Sequence, residues 1–323
     1  MWKFRKREDG KTLGQRIGRS IRVAGIAAVA GLKWYQMEND RQIRSRFPPE
    51  GEFIQVDGVY LHYRSVGQGR PIVALHGNGG SLFDMQHLAE TAADEFRMIV
   101  FDRPGAGYSD RPAEPLTPEV QARLIHSALV ELGVEKPMLL GHSWGAGLAL
   151  TYASLYPDEV SAVVTLAGYH YAMPSNRELL PSIKRLPVVG DLLIELLAAP
   201  VGWKQDDLAA VFAPEALPED YRDRAYAFYW RAANLKNTLE ETMLANDTTQ
   251  TFNVSRYPDL RMPVTVLTGS DDAVVPPEQA QRLLADVRHA RQIVLDGAGH
   301  MIQRTRAREV LEAIRDTWSR VDA

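Results

Sequence analysis

A chain of 323 residues with 45% apolar and 24% charged content is long enough to bury a full α/β core. The absence of cysteine excludes disulfides, thiolate metal sites and a cysteine nucleophile, and a net charge of −4 argues against a nucleic-acid role for the body of the protein. That balance hides an asymmetry, because residues 1–46 hold twelve Lys/Arg against four Asp/Glu and leave the remainder strongly acidic.

The basic start is concentrated in Lys3, Arg5, Lys6, Arg7, Lys11, Arg16, Arg19 and Arg22, followed by the apolar run Val23–Leu32 and the aromatic pair Trp34-Tyr35. Ten apolar residues are too few for a spanning helix, which needs about 20. Leu13, Ile17, Ile21, Ala24, Ala28 and Leu32 recur at helical spacing and lay an apolar stripe along one face. Three readings compete. Residues 1–35 form a membrane-surface helix; or they form a signal peptide with Ala28-Val29-Ala30 as its cleavage site; or residues 1–46 are a basic extension packed on the protein's own domain or on a partner. Localisation is accordingly cytoplasmic or peripheral to a membrane.

From residue 47 the chain alternates strands and helices. Glu52–Val56 and Tyr60–Arg64 flank Asp57-Gly58, a strong hairpin signal. Pro71–His76 and Phe96–Asp102 read as buried strands, Pro118–Leu132 as an amphipathic helix, and Pro137–Ser143 and Val160–Ala167 as two further strands. This alternation predicts an α/β fold, with a mostly parallel, doubly wound sheet that opens on an antiparallel hairpin.

Within that pattern Gly141-His142-Ser143-Trp144-Gly145 joins a strand to a small-residue helix. Glycines two positions before and after the serine remove side chains that would clash in a strained turn, and the turn lifts the hydroxyl to a helix N-terminus. The alternative is a glycine-rich turn with an ordinary helix-capping serine. A base and an acid downstream would decide for a nucleophile, and both occur. Pro263–Thr268 reads as a strand closed by Gly269-Ser270-Asp271-Asp272, and Arg291–Asp296 as a short buried strand running into Gly297-Ala298-Gly299-His300. The order Ser143, Asp272, His300 places all three at the carboxyl ends of strands, where open α/β sheets hold their sites.

Between these regions the alternation stops. Residues 169–258 show helical stretches around Asn176–Ile183, Val188–Ala198, Asp206–Phe212 and Glu219–Ala245, broken by prolines at 174, 181, 187, 200, 214 and 218. Nearly ninety residues are too many for a structureless loop, so the segment reads as a helical cap inserted between two core segments, 47–168 and 259–323. Tyr169, His170, Tyr171, Trp203, Tyr226, Phe228, Tyr229 and Trp230 are candidates for its core or for a substrate lining.

Over residues 50 to 320 these motifs together resemble the α/β-hydrolase superfamily. Leu75-His76-Gly77-Asn78-Gly79-Gly80 looks like the family's oxyanion loop, and Phe101–Asp110 like its turn after the following strand. Asp272 fits the family's Gly-x-x-Asp-x-x-x-Pro acid loop better than the adjacent Asp271, and His300 matches its Gly-His base loop. The elbow assigns one oxyanion donor to the backbone N–H of Trp144, and the resemblance implies the other at Asn78. His76 and His142 flank tight turns and read as hydrogen-bonding posts, and Asp102 as an anchor for the Arg103–Gly107 turn. Asn78 with Trp144 also resembles the halide-binding pair of haloalkane dehalogenases, but those enzymes need an aspartate where this chain has Ser143.

The resemblance implies a serine hydrolase acting on a small-molecule carboxylic ester. A carbon–carbon bond hydrolase of a ring-fission product and a non-catalytic binding member of the fold are the alternatives. No metal cluster, phosphate loop or dinucleotide fingerprint stands in the sequence, so no cofactor or metal is expected. Substrate identity and oligomeric state are not encoded in any motif.

Overall fold

A computed structural model describes residues 13–173, 206–229, 231–246 and 252–323. The predicted helical stretches at 176–183 and 188–198, and Trp203 and Trp230, lie outside the described residues.

Eight strands form one sheet: β1 (Glu52–Val56), β2 (Val59–Val66), β3 (Arg70–Leu75), β4 (Phe96–Phe101), β5 (Met138–His142), β6 (Ala162–Leu166), β7 (Val264–Gly269) and β8 (Arg291–Leu295). Their spatial order is β1-β2-β4-β3-β5-β6-β7-β8. β1 and β2 pair antiparallel through a turn in which Asp57 (φ 50°) and Gly58 (φ 78°) both take positive φ, the conformation that matches the strand twist in a two-residue hairpin. β2 also runs antiparallel to β4, and every later pair is parallel.

The strands read as near-continuous apolar runs because both sheet faces are covered. Val73, Leu75, Ile99, Phe101 and Leu139 point to one core, and Ile72, Ala74, Met98, Val100 and Leu140 to the other, a strict period of two. The first core is closed by α3 (Pro118–Glu131) and α4 (Trp144–Leu155), the second by α2 (Phe83–Ala92) and the C-terminal helix (Ala307–Val321). That last helix presents Val310, Leu311, Ile314 and Trp318 to the sheet at three- and four-residue steps. One expectation needs correcting. The strand at 291–295 is not buried: it is the sheet's edge, with Val294 56% exposed, because among the described residues only β7 pairs with it.

Between β6 and β7 stand α5 (Asp206–Phe212), α6 (Glu219–Tyr229) and α7 (Ala232–Asn246), so the stretch expected as one helix over 219–245 is two. α7 approaches the sheet with a polar stripe, since Asn234, Asn237 and Glu241 are all buried. Asn234 donates to the Gly79 carbonyl (2.7 Å) and Glu241 meets Arg103. The amides of His170 and Tyr171 donate to Gln279 Oε1 at 2.7 and 2.8 Å, on the helix that follows β7.

The basic extension continues into α1 (Leu13–Arg46), a helix of 34 residues and about 50 Å at the usual rise. Ala28-Val29-Ala30 lies inside it, and Ile43 is its one buried side chain among those described. Ile43 packs with Tyr108 and Phe228, and Arg231 at the head of α7 reaches both Asp40 (2.7 Å) and the Gly107 carbonyl (2.5 Å). No described helix is long and apolar enough to cross a membrane.

Candidate active site

The turn at Ser143 is built from close approaches. A Cβ on Gly145 would stand 2.5 Å from the Leu75 carbonyl oxygen and 2.6 Å from that of His76, and one on Gly141 would overlap the Gly145 carbonyl. Both positions therefore require glycine. Ser143 itself sits at φ 51°, ψ −120°, a strained conformation for a residue with a side chain. Its amide donates to the Leu166 carbonyl (2.9 Å) and its own carbonyl accepts from the Tyr169 amide (2.9 Å), which pin the strained residue to the neighbouring strand. The Trp144 amide follows directly as the first N–H of α4, where no intrahelical acceptor exists.

His300 and Asp272 meet as the sequence order requires: His300 Nδ1 lies 2.9 Å from Asp272 Oδ2, and both side chains are 5% exposed. The other carboxylate oxygen accepts from the Val274 and Val275 amides at 2.8 and 3.0 Å. Burial opposes ionisation of Asp272, but the hydrogen bond and charge of His300 with those two amides outweigh it, so its carboxyl titrates below the ordinary range. Asp271 has no such bond to a histidine; its Oδ1 accepts instead from the Ser270 hydroxyl at 3.3 Å.

Ser143, His300, Gly77 and Asn78 line one cavity of about 250 Å³, closed from the insertion by Phe212, Tyr221, Phe228 and Tyr229. Gly77 stands against the serine, since a Cβ there would lie 3.0 Å from Ser143 Cβ. The Asn78 side-chain nitrogen reaches α7, donating to Thr242 Oγ1 (3.1 Å) and the Thr238 carbonyl (3.3 Å), while its Oδ1 is buried without a hydrogen-bond partner. The His300 loop is gripped from the insertion too, because Glu215 accepts from the Gly299 amide at 2.9 Å.

The flanking histidines hold loops. His76 accepts from the Arg103 amide (3.1 Å), and burial, with the Arg103 charge, pushes its pKa down to about 3. His142 Nε2 lies 3.1 Å from the His300 carbonyl, and burial with the neighbouring His300 holds it well below the imidazole range. Asp102 takes the Tyr108 amide (2.8 Å), the Leu82 amide (2.7 Å) and His62 Nδ1 (2.7 Å), so it ties down the following turn and the α2 entrance together.

Five buried charged or polar residues stand out only in the structure: Arg103, Asp84, Asn234, Asn237 and Glu241. Arg103, wholly buried, donates to the carbonyls of His76 and Gly77 at 2.9 Å each and stacks 4.6 Å over the Trp144 ring. Asp84 lines the cavity and accepts from the Tyr221 hydroxyl at 2.7 Å; burial lifts its pKa to about 6, against the pull of that hydrogen bond. A carboxylate in the first turn of α2 reads in sequence as an exposed helix-start acid, whereas here it packs against Gly80 and accepts from Tyr221 of the insertion. The polar i, i+3, i+7 spacing of Asn234, Asn237 and Glu241 is the available sequence signal for a helix that docks through hydrogen bonds.

Among the described residues no His/Asp/Glu group could hold a metal ion. The sequence profile of the alpha/beta hydrolase fold matches residues 70–307, well over half of the chain. The protein belongs to the α/β-hydrolase fold family. It is similar to 2-hydroxy-6-oxononadienedioate/2-hydroxy-6-oxononatrienedioate hydrolase 2 of Pseudomonas putida, at 26% identity over 76% of this chain and 86% of that protein. It is 30% identical to cis-3-alkyl-4-alkyloxetan-2-one decarboxylase of Shewanella oneidensis over 41% of this chain, a match that spans only 43% of that protein. Among solved structures it superposes on a thermophilic esterase of Thermogutta terrifontis with TM-score 0.64 and 22% identity, covering 84% of this chain and all of that one.

Proposed function

We propose that the protein hydrolyses a small or medium carboxylic ester through an acyl-enzyme on Ser143. The observation that carries this reading is the 2.9 Å bond of Asp272 to His300, with His300 and Ser143 on one cavity. His300 takes the proton from the Ser143 hydroxyl as its oxygen attacks the ester carbonyl. Asp272 holds the imidazole ring in orientation and stabilises its cationic form. The negative charge on the tetrahedral oxygen falls to the backbone N–H groups of Trp144 and Asn78. His300 returns the proton to the departing alkoxide, and water, deprotonated in turn by His300, releases the acid and regenerates the serine.

The helices between β6 and β7 act in this reading as a cap that excludes water from the acyl-enzyme. A second reading, cleavage of a carbon–carbon bond in a ring-fission product, is favoured by the likeness to the Pseudomonas putida hydrolase over most of the chain.

A fluorophosphonate probe on the intact protein tests the chemistry. Labelling that disappears in Ser143→Ala supports the nucleophile, and a well-folded protein that stays unlabelled is a binding member of the fold. Turnover of p-nitrophenyl esters of graded length, set beside a vinylogous diketone ring-fission substrate, then separates ester from carbon–carbon cleavage. A rate confined to the diketone overturns the ester assignment.

A further inference from the structure

The loop Gly297-Ala298-Gly299-His300 is fastened at several backbone groups to the sheet and its own loops. The Gly297 amide donates to Ser270 Oγ at 2.8 Å, and the Ala298 carbonyl accepts from the Asp271 amide at 3.0 Å. His142 Nε2 lies 3.1 Å from the His300 carbonyl. The buried Gly299 amide is held from elsewhere. It donates at 2.9 Å to Oε2 of Glu215, which stands in the insertion between α5 and α6.

The insertion also meets Gly299 through its backbone. A Cβ on Gly299 would stand 2.1 Å from the Ala213 carbonyl oxygen, an approach that glycine alone allows. Glu215 is itself anchored, because its Oε1 lies 3.4 Å from Arg306, whose guanidinium donates to the Gly297 carbonyl at 3.3 Å. Glu215 and Arg306 thus bracket the loop, one from the insertion and one from the start of the C-terminal helix. With its side chain 17% exposed, Glu215 makes the bond to Gly299 largely out of water.

Gly299 immediately precedes His300, whose Nδ1 must stay 2.9 Å from Asp272. A buried amide deprived of its acceptor is costly, and the loop would shift to satisfy it. A displacement of about 1 Å at a reacting group costs about 10²-fold in rate. We infer that Glu215 is a positioning residue: through the Gly299 amide it seats the His300 imidazole against Asp272 and makes that seat depend on the insertion, an assignment that rests on His300 acting as the base.

Hydrolysis of a p-nitrophenyl ester and the downfield proton spectrum of the full chain test it together. The Nδ1 proton of His300, bonded to Asp272, gives a resonance beyond the amide region that its loss in His300→Ala identifies. Glu215→Met keeps the bulk but offers no acceptor, and should lower kcat about 10- to 100-fold while broadening that resonance by exchange with water. KM should stay within about threefold, because substrate binding is not what Glu215 governs. Glu215→Gln keeps an acceptor for Gly299 and should bring kcat back to within about fivefold of wild type, with a sharp resonance. If circular dichroism shows Glu215→Met unfolded, Arg306→Met, which frees the Gly297 carbonyl and leaves Glu215 without its pair, should lower kcat about tenfold and broaden the same resonance.

Wild-type kcat with a sharp resonance in either methionine substitution overturns the assignment, as does a Glu215→Gln protein as impaired as Glu215→Met. A change confined to KM also overturns it and makes Glu215 part of the substrate wall. The resonance separates this assignment from the ester reading. A wild type that shows it but hydrolyses no ester sinks the ester reading alone, and the variants are then compared by the resonance. A wild type without it has no seated imidazole for Glu215 to hold, and the assignment falls.

Discussion

Arg103 and Glu241 form a wholly buried ion pair that joins the turn after β4 to helix α7, with Nη2 and Oε2 3.0 Å apart. Arg103 spends its other donors on the carbonyls of His76 and Gly77 and on Gln121, so one guanidinium fastens the insertion to the loop beside the serine. Removing one partner of such a pair strands a buried charge, at a cost of about 3–5 kcal/mol. Glu241→Ala should lower stability by about 3 kcal/mol, the low end because Arg103 keeps its neutral acceptors. Urea denaturation measures this, and a loss below about 1 kcal/mol, no more than an exposed pair contributes, would show that the pair is solvated.

The acid role separates two adjacent residues. Asp272→Asn should lower kcat about 10⁴-fold by freeing the imidazole ring to take the wrong tautomer, as in other serine triads. Asp271→Asn, which removes no bond to His300, should stay within a few-fold of wild type. Steady-state hydrolysis of a p-nitrophenyl ester distinguishes them, and equal losses would remove Asp272 from its assigned place.

Asp84 makes stability fall with rising pH. Its folded pKa of about 6 exceeds the unfolded 3.8, so the native state holds a proton that the unfolded chain has released between those values. Its contribution is complete below pH 3.8 and is lost as pH rises through about 6, a swing of about 3 kcal/mol. Asp272 has the opposite sign: its folded pKa is depressed, and its contribution is lost only as pH falls below the ordinary carboxylate range. Asp84→Asn keeps an acceptor for Tyr221 and cannot ionise, so its stability relative to wild type should rise by about 2–3 kcal/mol from pH 4 to pH 7. Urea melts across that range would reveal it; parallel curves for the two proteins would mean that Asp84 ionises freely.

The Gly145 contact predicts a packing effect that reaches the chemistry. Gly145→Ala drives a methyl group into the Leu75 and His76 carbonyls and must part the end of β3 from the turn at Ser143. A loss of about 1–3 kcal/mol in stability, typical of overpacking, should accompany a fall in kcat. Calorimetry with ester kinetics checks both, and wild-type values would show that the turn has slack.

What was legible in the sequence was local or periodic. The Asp57-Gly58 hairpin, the alternating core and the glycines around Ser143 each follow from backbone conformation or side-chain period. The spacing that selected Asp272 over Asp271 also matches the hydrogen bond found at His300. What escaped were positions whose meaning depends on a distant partner. Asp84 sits on α2 and Tyr221 on α6, 137 residues apart, and neither carries a local signature of burial. The edge position of β8 was hidden for a related reason, since an apolar run does not reveal how many neighbours it pairs with.

Phe228 belongs to two structures at once: it packs against Ile43 of α1 and also lines the cavity that holds Ser143. A protein trimmed ahead of Glu52 therefore loses a supporting layer behind that ring along with its basic tail. Any measurement on such a shortened form mixes the loss of the tail with a slackened wall of the Ser143 cavity, and the two separate only with Ile43 still in place.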